Sequence, residues 1–317
     1  MAVFVSGSLA YDRIMDFPGY FVDHILPEKI HILNVCFTVN GLSEMFGGTA
    51  GNIAYSLSLL EERPIILAAV GKDFGPYRQW LESRGLPLEG IRVVDREFTA
   101  GAYITTDRAD NQITGFNPGA MRHPSGYPLD AGRDGPSLTI VAPGNLEDML
   151  LYSRACKTLG MPYICDPGQA ITALSHEALL EMIDGALVLI SNDYELELIR
   201  RRTGFDDADL LSRCTALITT LGEKGSSLLT REGRLSIAAV PPDAVVDPTG
   251  AGDAYRAGLI KGLVAKKPLH VAARIGAVCA SYAVAQHGTQ QHVFDLKAFN
   301  GRSRLVFGRE ADEMTIG

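Results

Sequence analysis

Short apolar runs alternate with amphipathic segments along most of this 317-residue chain. Runs rich in Val, Ile and Leu predict buried strands, and they lie at residues 3–5, 65–70, 138–142, 163–165, 186–190 and 217–219. Apolar residues at helical spacing, closed by Gly or Pro, predict helices at residues 52–60, 74–84, 147–159, 176–183 and 194–203. The alternation is typical of βαβ units and predicts an α/β fold with a mostly parallel central sheet flanked by helices.

Two segments interrupt this alternation. Residues 14–46 mix short β-like runs with two prolines, and residues 102–107 and 112–116 flank a polar turn as in a hairpin. Together they predict a small sheet outside the main layer. Two interpretations remain open: a lid at the carboxyl ends of early strands, where open α/β sheets bind ligands, or an ordinary extension of the sheet edge. The same signals predict a second hairpin from residues 226–230 and 236–240.

Composition excludes several classes of protein. Of the residues, 46% are hydrophobic and 21% charged, as in a globular protein with a sizeable core. The net charge of −8 argues against a protein whose main role is to bind nucleic acid. No run approaches the ~18 apolar residues that cross a bilayer, and the first residues lack a basic leader flank, so we expect a cytoplasmic protein with no membrane partner. The five cysteines lack metal-ligand spacing and predict reduced, buried thiols.

A glycine-rich motif late in the chain predicts an anion site. Asp247 opens the sequence DPTGAGD, which ends at Asp253 and precedes a helical pattern over residues 254–265. Unpaired N–H groups at Gly250, Ala251 and Gly252, together with the positive end of the helix dipole, favour a bound anion. A carboxylate beside an anion is useful when it accepts a proton from an attacking hydroxyl, which is the arrangement of a phosphotransferase. The alternative is that Asp253 only caps the helix.

A second glycine cluster strengthens the phosphotransferase interpretation of the first. Gly47, Gly48 and Gly51 precede Asn52 at the start of a predicted helix, and no GxxxxGK[ST] loop or three-glycine dinucleotide motif occurs. Together the two clusters resemble the two signatures of the PfkB family of carbohydrate and nucleoside kinases. The resemblance implies a ribokinase-like fold with a β-sheet lid, residues 14–46 and 94–118, over a large nucleotide-binding domain. That domain comprises residues 1–13, 47–93 and 119–317.

Longer stretches resemble the bacterial adenosine kinases of the mycobacterial type. They lie at residues 7–12, 24–27, 105–107, 116–121, 192–195 and 247–257. This resemblance implies ATP-dependent transfer of the γ-phosphoryl group to the 5′-hydroxyl of adenosine, giving AMP. Two other hypotheses stay open: the same chemistry on another nucleoside or on a sugar such as ribose or fructose, and a non-catalytic ligand-binding protein on the same fold.

The family motifs imply a role for each matching residue. Asp253 is the expected general base, and Gly250, Ala251 and Gly252 form the anion hole. Asp12 matches a position that holds sugar hydroxyls, since a carboxylate can accept two hydrogen bonds from a vicinal diol; the alternative for Asp12 is a turn residue after a strand. The other residues expected to bind the sugar are Ser8, Gly47, Gly48 and Asn52.

The phosphate donor has its own expected contacts. Asn192 and Glu195, three apart at a helix start, would organise Mg²⁺ through water, or would only form a capping box. Thr220, Gly222 and Gly225 would lie along ATP, although a turn before a hairpin has the same residues. Asp247 and Thr249, with carbonyl groups around His287 and Gly288, resemble a potassium site of the family. The cofactors implied are ATP and Mg²⁺, with K⁺ as a further candidate.

The base pocket departs from the family pattern. Phe116 matches a stacking aromatic residue, but Ala102 stands where a second aromatic residue is usual, and the neighbouring Tyr103 would point to the other face of a strand. Gln169 is a candidate for the substrate pocket, or an exposed loop amide. Exposed strands of the small sheet offer an edge to a second subunit, and we expect a homodimer.

Overall fold

The computed structural model describes residues 1–129 and 137–316, and they form two β-sheets with helices around the larger one. The strands are β1 (Ala2–Ser6), β2 (Ala10–Asp16), β3 (Leu42–Gly47), β4 (Ile65–Gly71), β5 (Ile91–Val94), β6 (Ala100–Thr106), β7 (Gln112–Asn117), β8 (Ser137–Val141), β9 (Tyr163–Cys165), β10 (Val188–Asn192), β11 (Ala216–Thr220), β12 (Ser226–Thr230) and β13 (Gly233–Ile237). The six main strands predicted from apolar runs are confirmed, with boundaries shifted by one or two residues.

The large sheet has the order β13-β12-β11-β10-β9-β8-β1-β4-β5. From β11 to β5 the strands run parallel, and only β12 runs the other way: it is antiparallel to β11 and to β13, with which it forms the late hairpin. Parallel strands need crossover helices on both faces, and the central strands are accordingly buried and apolar. The turn of the hairpin is shorter than predicted: β13 begins at Gly233, two residues after Arg231, rather than near residue 236.

Ten α-helices surround this sheet in the described residues. They are α1 (Thr49–Leu59), α2 (Gly75–Ser83), α3 (Leu146–Leu159), α4 (His176–Ile183), α5 (Asp193–Thr203), α6 (Asp207–Arg213), α7 (Ala251–Val264), α8 (Leu269–Ala283), α9 (Leu296–Phe307) and α10 (Ala311–Met314). Both glycine-rich helices, α1 and α7, begin three residues before the prediction. Their N-caps, Gly48 and Gly250, have positive φ, which glycine adopts without strain and which lets the turn enter the helix early.

The small sheet is separate from the large one, so it is not an edge extension. Its order is β3-β2-β6-β7, with β2 parallel to β6 and the other pairs antiparallel. The polypeptide passes from the large sheet to the small one twice, after the carboxyl end of β1 and after that of β5. Strand β2 already begins at Ala10, and the residues between β2 and β3 form short 3₁₀ turns rather than the β-like runs predicted there. Two prolines, Pro18 and Pro27, and many exposed positions interrupt that connection, which removes the periodicity a strand needs.

Helix α7 packs unusually close to α8. A Cβ added at Gly258 would lie 2.6 Å from the carbonyl oxygen of Ile275, and one at Gly262 would lie 2.5 Å from the Cα of Ala272. Only glycine allows two helix backbones to approach this closely. The contact fixes the position of α7, and its N-terminus carries the late glycine motif.

Replacing Gly258 with Ala should therefore destabilise the protein by about 1–3 kcal/mol, because the methyl group forces the two backbones apart. Gly301→Ala is the matched control: Gly301 is also inside a helix, and a Cβ there meets nothing within 4 Å. The control should be more stable by about 0.5–1 kcal/mol, since Ala favours a helix over Gly. Urea unfolding of both variants measures the difference, and equal effects would show that the close approach is not required.

Four of the five cysteines are buried, and all five are free thiols. The prediction of buried thiols is wrong for Cys36, which is exposed in the connection between β2 and β3. Inside the described part of the chain, no helix combines the length and apolar character that a bilayer crossing requires.

Candidate active site

A cleft of about 1120 Å³ runs along the carboxyl ends of the parallel strands and under the small sheet. It brings together residues that are far apart in sequence, from the loop after β1 to the first turn of α7. The predicted site residues that line it are Ser8, Asp12, Gly48, Asn52, Phe116, Gln169, Asn192, Glu195, Thr220, Gly222, Gly225, Thr249, Gly250, Ala251, Gly252 and Asp253. Two predicted residues, Gly47 and Asp247, are not among its lining residues.

The first turn of α7 presents main-chain amides to the cleft. Gly250 is the N-cap, with φ of 79° and no capping side chain. The N–H groups of Gly250 and Gly252 donate to no group in the described residues, whereas that of Ala251 donates to the carbonyl oxygen of Pro248 at 3.2 Å. The expected anion hole therefore has two open amides here, because the turn itself uses the N–H of Ala251. Open amides and the helix dipole point together at this end of the cleft.

Asp253 faces another helix and does not cap its own. Its Oδ2 accepts a hydrogen bond of 2.8 Å from Nδ2 of Asn52 on α1. Burial raises the pKa of Asp253 to about 7, against the lowering influence of Arg256 and Asn52, and Asp166 and Glu195 raise it further. A carboxyl group with a pKa near neutral pH can accept a proton during a reaction and release it afterwards. Since the cap is Gly250, the capping alternative for Asp253 is not observed.

A buried ion pair lies beneath this turn, and the sequence predictions missed it. Nε and Nη2 of Arg256 donate to both oxygens of Asp166 at 2.5 and 2.7 Å, and Nη1 donates to the carbonyl oxygen of Gly252 at 3.0 Å. The exposed fractions of the two side chains are only 8% and 2%. Bidentate pairing of this kind fixes both groups, so Arg256 holds the first turn of α7 in place. The available signal was one arginine among the mostly small and apolar residues 254–260 of α7, where a buried charge must find a partner.

Asn192 and Glu195 form a capping box at the start of α5. The N–H of Glu195 donates to Oδ1 of Asn192 at 2.7 Å, and the N–H of Asn192 donates to Oε2 of Glu195 at 2.9 Å. The alternative predicted for this pair is thus observed, and both residues also line the cleft. Burial raises the pKa of Glu195, with the hydrogen bond from Asn192 opposing it.

The chemistry of the cleft floor fits Mg²⁺ held through water and phosphates. Three carboxylates, those of Asp166, Glu195 and Asp253, surround the guanidinium of Arg256, so negative charge exceeds positive when all are ionised. Within the described residues, no three His, Cys, Asp or Glu side chains are grouped to hold a metal ion directly. Mg²⁺ usually keeps several waters and is bound through one or two carboxylates and substrate phosphates, so the excess of carboxylates in the cleft suits it.

The small sheet contributes one face to the cleft. Asp12 on β2 pairs with Ala102 on β6, which pairs with Phe116 on β7, so the three side chains share a face. Asp12 therefore lies inside a strand, and the turn alternative is wrong. Burial raises the pKa of its carboxyl group. A Cβ at Gly47 would lie 2.6 Å from Oδ2 of Asp12, so Gly47 makes room for that carboxylate rather than lining the cleft.

The opposite face of the same sheet carries Tyr103. Its hydroxyl accepts a hydrogen bond of 3.0 Å from Nη1 of Arg13, whose guanidinium also lies over the tyrosine ring. Tyr103 is not among the cleft-lining residues. The prediction that Tyr103 cannot replace the missing aromatic side chain at position 102 is confirmed, and Phe116 faces an alanine across the sheet.

The loop after β1 supports the start of α1. The Oγ of Ser8 accepts a hydrogen bond of 3.1 Å from the N–H of Thr49, and the Oγ1 of Thr49 donates to the carbonyl oxygen of Pro143 at 2.7 Å. Gly48 has φ of 87°, and a Cβ there would meet the carbonyl oxygen of Ser8 at 2.5 Å. Ser8 and Gly48 thus shape the part of the cleft at the start of α1. Gln169 is an exposed residue on the rim of the same cleft.

The other arm of the cleft is apolar. Thr220 ends β11, and Gly222 and Gly225 form the turn into β12. A Cβ at Gly225 would lie 2.0 Å from the carbonyl oxygen of Ile237, so the hairpin itself requires this glycine. The sequence predictions missed an apolar wall of the cleft, because its residues belong to a loop and to the second half of α8 with no motif of their own. It comprises Val240, Pro241, Pro242, Val245, Ala277, Ala280 and Val284.

Asp247 lies outside the cleft and organises the loop before α7. Its Oδ1 accepts a hydrogen bond from the N–H of Thr249 at 2.9 Å, and its Oδ2 accepts one from the N–H of Gly288 at 3.0 Å. Burial raises the pKa of Asp247, but these hydrogen bonds outweigh burial and lower the pKa below its usual value. The segments around residues 247–249 and 287–288 therefore adjoin, as the predicted potassium site requires.

Comparisons with known proteins agree with this geometry. A nucleoside kinase of Methanocaldococcus jannaschii is 32% identical over 269 residues, which cover 84% of this chain and 88% of the relative. The structure of Burkholderia thailandensis nucleoside kinase in complex with inosine is 35% identical, with a TM-score of 0.86, over 97% of this chain and 98% of that one. Its complex with ADP-inosine is 36% identical, with a TM-score of 0.83, over 97% and 96% of the two chains.

These relatives are named nucleoside kinases rather than adenosine kinases. The structure of the M. jannaschii enzyme, described as an archaeal member of the ribokinase family, has a TM-score of 0.84 at 29% identity, over 95% of this chain and 98% of that one. The ribokinase-like fold is thereby confirmed. Residues 19–294 match the family described as pfkB family carbohydrate kinase. The chain belongs to this family of kinases.

Proposed function

We propose that this protein is an ATP-dependent nucleoside kinase and that it transfers the γ-phosphoryl group to the 5′-hydroxyl of adenosine. The observation that carries the proposal is the position of Asp253. Its carboxylate lies at the first turn of α7, next to the open amides of Gly250 and Gly252, and has a pKa of about 7. The named relatives, two nucleoside kinases that cover most of the chain, support the acceptor class.

The chemistry assigned to this turn is alignment and charge stabilisation. Asp253 accepts the proton of the acceptor hydroxyl as the oxygen attacks the phosphorus atom. The open amides of α7 stabilise the negative charge on the transferred group, and preorganised donors of this kind need no rearrangement during the reaction. Arg256 holds the turn from below through Asp166 and Gly252.

The sugar binds between the two sheets in this proposal. The carboxylate of Asp12 has no hydrogen-bond partner within the described residues and faces the cleft, so it is available to a vicinal diol. Asn52 donates one amide proton to Asp253 and has a second for a substrate oxygen. The separate small sheet then acts as a lid over the sugar, and closing it would exclude water from the phosphoryl group. Its edge strands β3 and β7 would pair with a second subunit in a homodimer.

Mg²⁺ neutralises phosphate charge when it is bound with ATP, and Glu195 would hold it through a water molecule. K⁺ would bind near Asp247 and Thr249, where the two segments adjoin. The apolar wall of the cleft, which includes Val240 and Val284, would bind the base of ATP, because adenine binds in apolar slots with few polar edges.

The alternative acceptor is a purine nucleoside other than adenosine. Ala102 leaves the slot opposite Phe116 wider than a pair of aromatic rings would, and a wider slot discriminates less between bases. The B. thailandensis relative was solved with inosine. Inosine is therefore the competitor that tests the preference for adenosine.

Phosphorylation of a panel of acceptors with Mg·ATP, with and without K⁺, tests the proposal. Adenosine, inosine, 2′-deoxyadenosine, ribose and fructose are the informative acceptors. We expect adenosine to give the highest kcat/KM and the deoxynucleoside to be poorer, because Asp12 loses a hydroxyl partner. A higher kcat/KM for ribose or fructose than for either nucleoside would contradict the proposal.

Phe116→Ala should lower kcat/KM for adenosine by about 5- to 150-fold, since stacking of a base on an aromatic ring is worth about 1–3 kcal/mol. The kcat/KM for ribose should change little, because ribose has no base. Ile113→Ala is the control: it lies on the same strand, on the opposite face, and its exposure of 45% is close to the 51% of Phe116. Steady-state kinetics with both acceptors checks this, and equal losses for adenosine and ribose would rule out stacking.

A further inference from the structure

A chain of buried amide and aromatic side chains reaches Asp253 from the side away from the cleft. Nε1 of Trp80 donates to Oε1 of Gln290 at 2.8 Å, and Nε2 of Gln290 donates to Oδ1 of Asn52 at 3.0 Å. Nδ2 of Asn52 then donates to Oδ2 of Asp253 at 2.8 Å. Gln290 is 2% exposed and Asn52 5%. The chain links α2, the loop before α9 and α1 to the proposed base on α7.

Chemistry fixes the direction of every hydrogen bond in this chain. An indole nitrogen can only donate, so Gln290 must turn its oxygen to Trp80 and its NH₂ group inward. The hydrogen bonds of the Tyr77 hydroxyl independently indicate the same orientation of the Gln290 amide. The hydroxyl donates to the carbonyl oxygen of Gly47 at 2.8 Å, so it accepts the hydrogen bond of 2.7 Å from Nε2 of Gln290.

The orientation of Gln290 determines that of Asn52. Because Gln290 presents an N–H group to Asn52, Asn52 must turn its oxygen toward Gln290 and its NH₂ group toward Asp253. A donor that faces a carboxylate stabilises the ionised form. If the amide of Asn52 were reversed, its oxygen would face Asp253 and favour the protonated form, which cannot act as a base.

We infer that Trp80 and Gln290 are positioning residues, which lock the amide of Asn52 so that it stabilises the ionised form of Asp253 through Oδ2 and leaves Oδ1 for the acceptor hydroxyl. The inference rests on the proposed function for the identity of the reaction. Neither Trp80 nor Gln290 lines the cleft, and no sequence motif identified them. Trp80 would act on the reaction through Gln290 and Asn52.

Other groups also shift the pKa of Asp253. The hydrogen bond from Asn52 opposes the effect of two of them, Asp166 and Glu195. Arg256, on the same helix, lowers the pKa of Asp253, whereas Asp166 after β9 and Glu195 on α5 raise it. Tyr77 on α2 lies near both Asp253 and Asp12 and has a raised pKa, chiefly through its own burial, so it stays neutral. Replacing Gln290 also removes the hydrogen bond that it donates to Tyr77. Replacing Trp80 by phenylalanine leaves all of these charged and titratable groups in place. Any shift in the titration of Asp253 then reports on the amide chain.

Trp80→Phe removes the indole N–H, replaces the two-ring indole by a single ring, and keeps an aromatic ring for stacking on Phe46 and Tyr55. Gln290→Met removes the amide and adds no charge. We expect the acid limb of the pH profile of kcat/KM to move up by about one pH unit in both variants, because Asn52 is no longer locked and its hydrogen bond to the charged Asp253 is weakened. Turnover would fall about tenfold at pH 6 and much less at pH 9.

Gln291→Met is the matched control, since Gln291 is the exposed neighbour of Gln290 and should keep the acid limb of the wild type. A second readout needs no turnover: the pKa of Asp253 from carbon NMR of ¹³C-labelled aspartate, with its signal assigned by its loss in Asp253→Asn. Should Gln290→Met fail to fold, Trp80→Phe alone decides the question. A merely structural role would lower the amount of folded enzyme and leave both the limb and the pKa in place.

The outcomes separate this inference from the proposed function. If wild-type enzyme transfers phosphate to none of the acceptors, the proposed function fails, while the NMR pKa of Asp253 still tests the amide chain. If transfer occurs but Trp80→Phe and Gln290→Met keep the acid limb and the pKa of the wild type, the inference is overturned and the proposed function stands.

Discussion

Asp253→Asn should lower kcat by about 10²- to 10⁴-fold and leave the binding of adenosine and ATP largely intact, because the variant keeps the shape of the site and loses its proton acceptor. Steady-state kinetics measures kcat, and isothermal titration calorimetry measures the binding of adenosine and ATP. Asp312→Asn makes the same substitution on an exposed residue of α10 and should retain full activity. Turnover in Asp253→Asn equal to that of the wild type would contradict the proposed mechanism.

The same variant should be more stable than the wild type above neutral pH. The pKa of Asp253 is about 7 in the folded protein, against an ordinary value of 3.8. A raised pKa means that folding favours the protonated form, so the cost of ionisation is absent below pH 3.8 and complete above about pH 7. Asparagine never bears this cost. A higher Tm for Asp253→Asn at pH 8, and little difference at pH 4, would show that the carboxylate is kept for chemistry rather than for stability.

Arg256→Met should destabilise the protein by about 3–5 kcal/mol, since it leaves the carboxylate of Asp166 buried without its partner. Urea unfolding measures the loss. Adding Asp166→Asn to this variant should restore part of the lost stability, because the uncompensated charge is then removed. The pair is 8% and 2% exposed, so solvent cannot replace the missing partner.

Arg154→Met is the control for this effect. Arg154 pairs with Glu181 at the surface, where the two side chains are 58% and 34% exposed. Exposed pairs contribute about 0–1 kcal/mol, so the control should lose at most that much. If Arg256→Met loses no more than Arg154→Met, the buried pair does not hold the anion-binding turn.

Much of the site could be predicted from local sequence. The two glycine clusters mark helix N-termini, and parallel strands bring their carboxyl ends to one edge, so Asn52 and Asp253 meet although 201 positions separate them. Asp12 was identified through a family motif, and only the sheet register shows that it shares a face with Ala102 and Phe116.

Three features could not be predicted in this way. The ion pair of Arg256 and Asp166 joins a helix to a loop 90 positions away, and no local pattern specifies such a contact. Gln290 is a single amide in an irregular segment, and its role depends on burial beside Trp80. The connection between β2 and β3 was misjudged because short apolar runs there stay exposed, and exposure is decided by what packs above them.

A ternary structure with adenosine and a non-hydrolysable ATP analogue tests the central claim most directly. The measured quantity is the distance from a carboxylate oxygen of Asp253 to the 5′-oxygen of the nucleoside. We predict a distance of about 2.6–3.2 Å, with the γ-phosphate at the amides of Gly250 and Gly252. A 5′-oxygen far from Asp253, or a γ-phosphate bound away from the first turn of α7, would contradict the account.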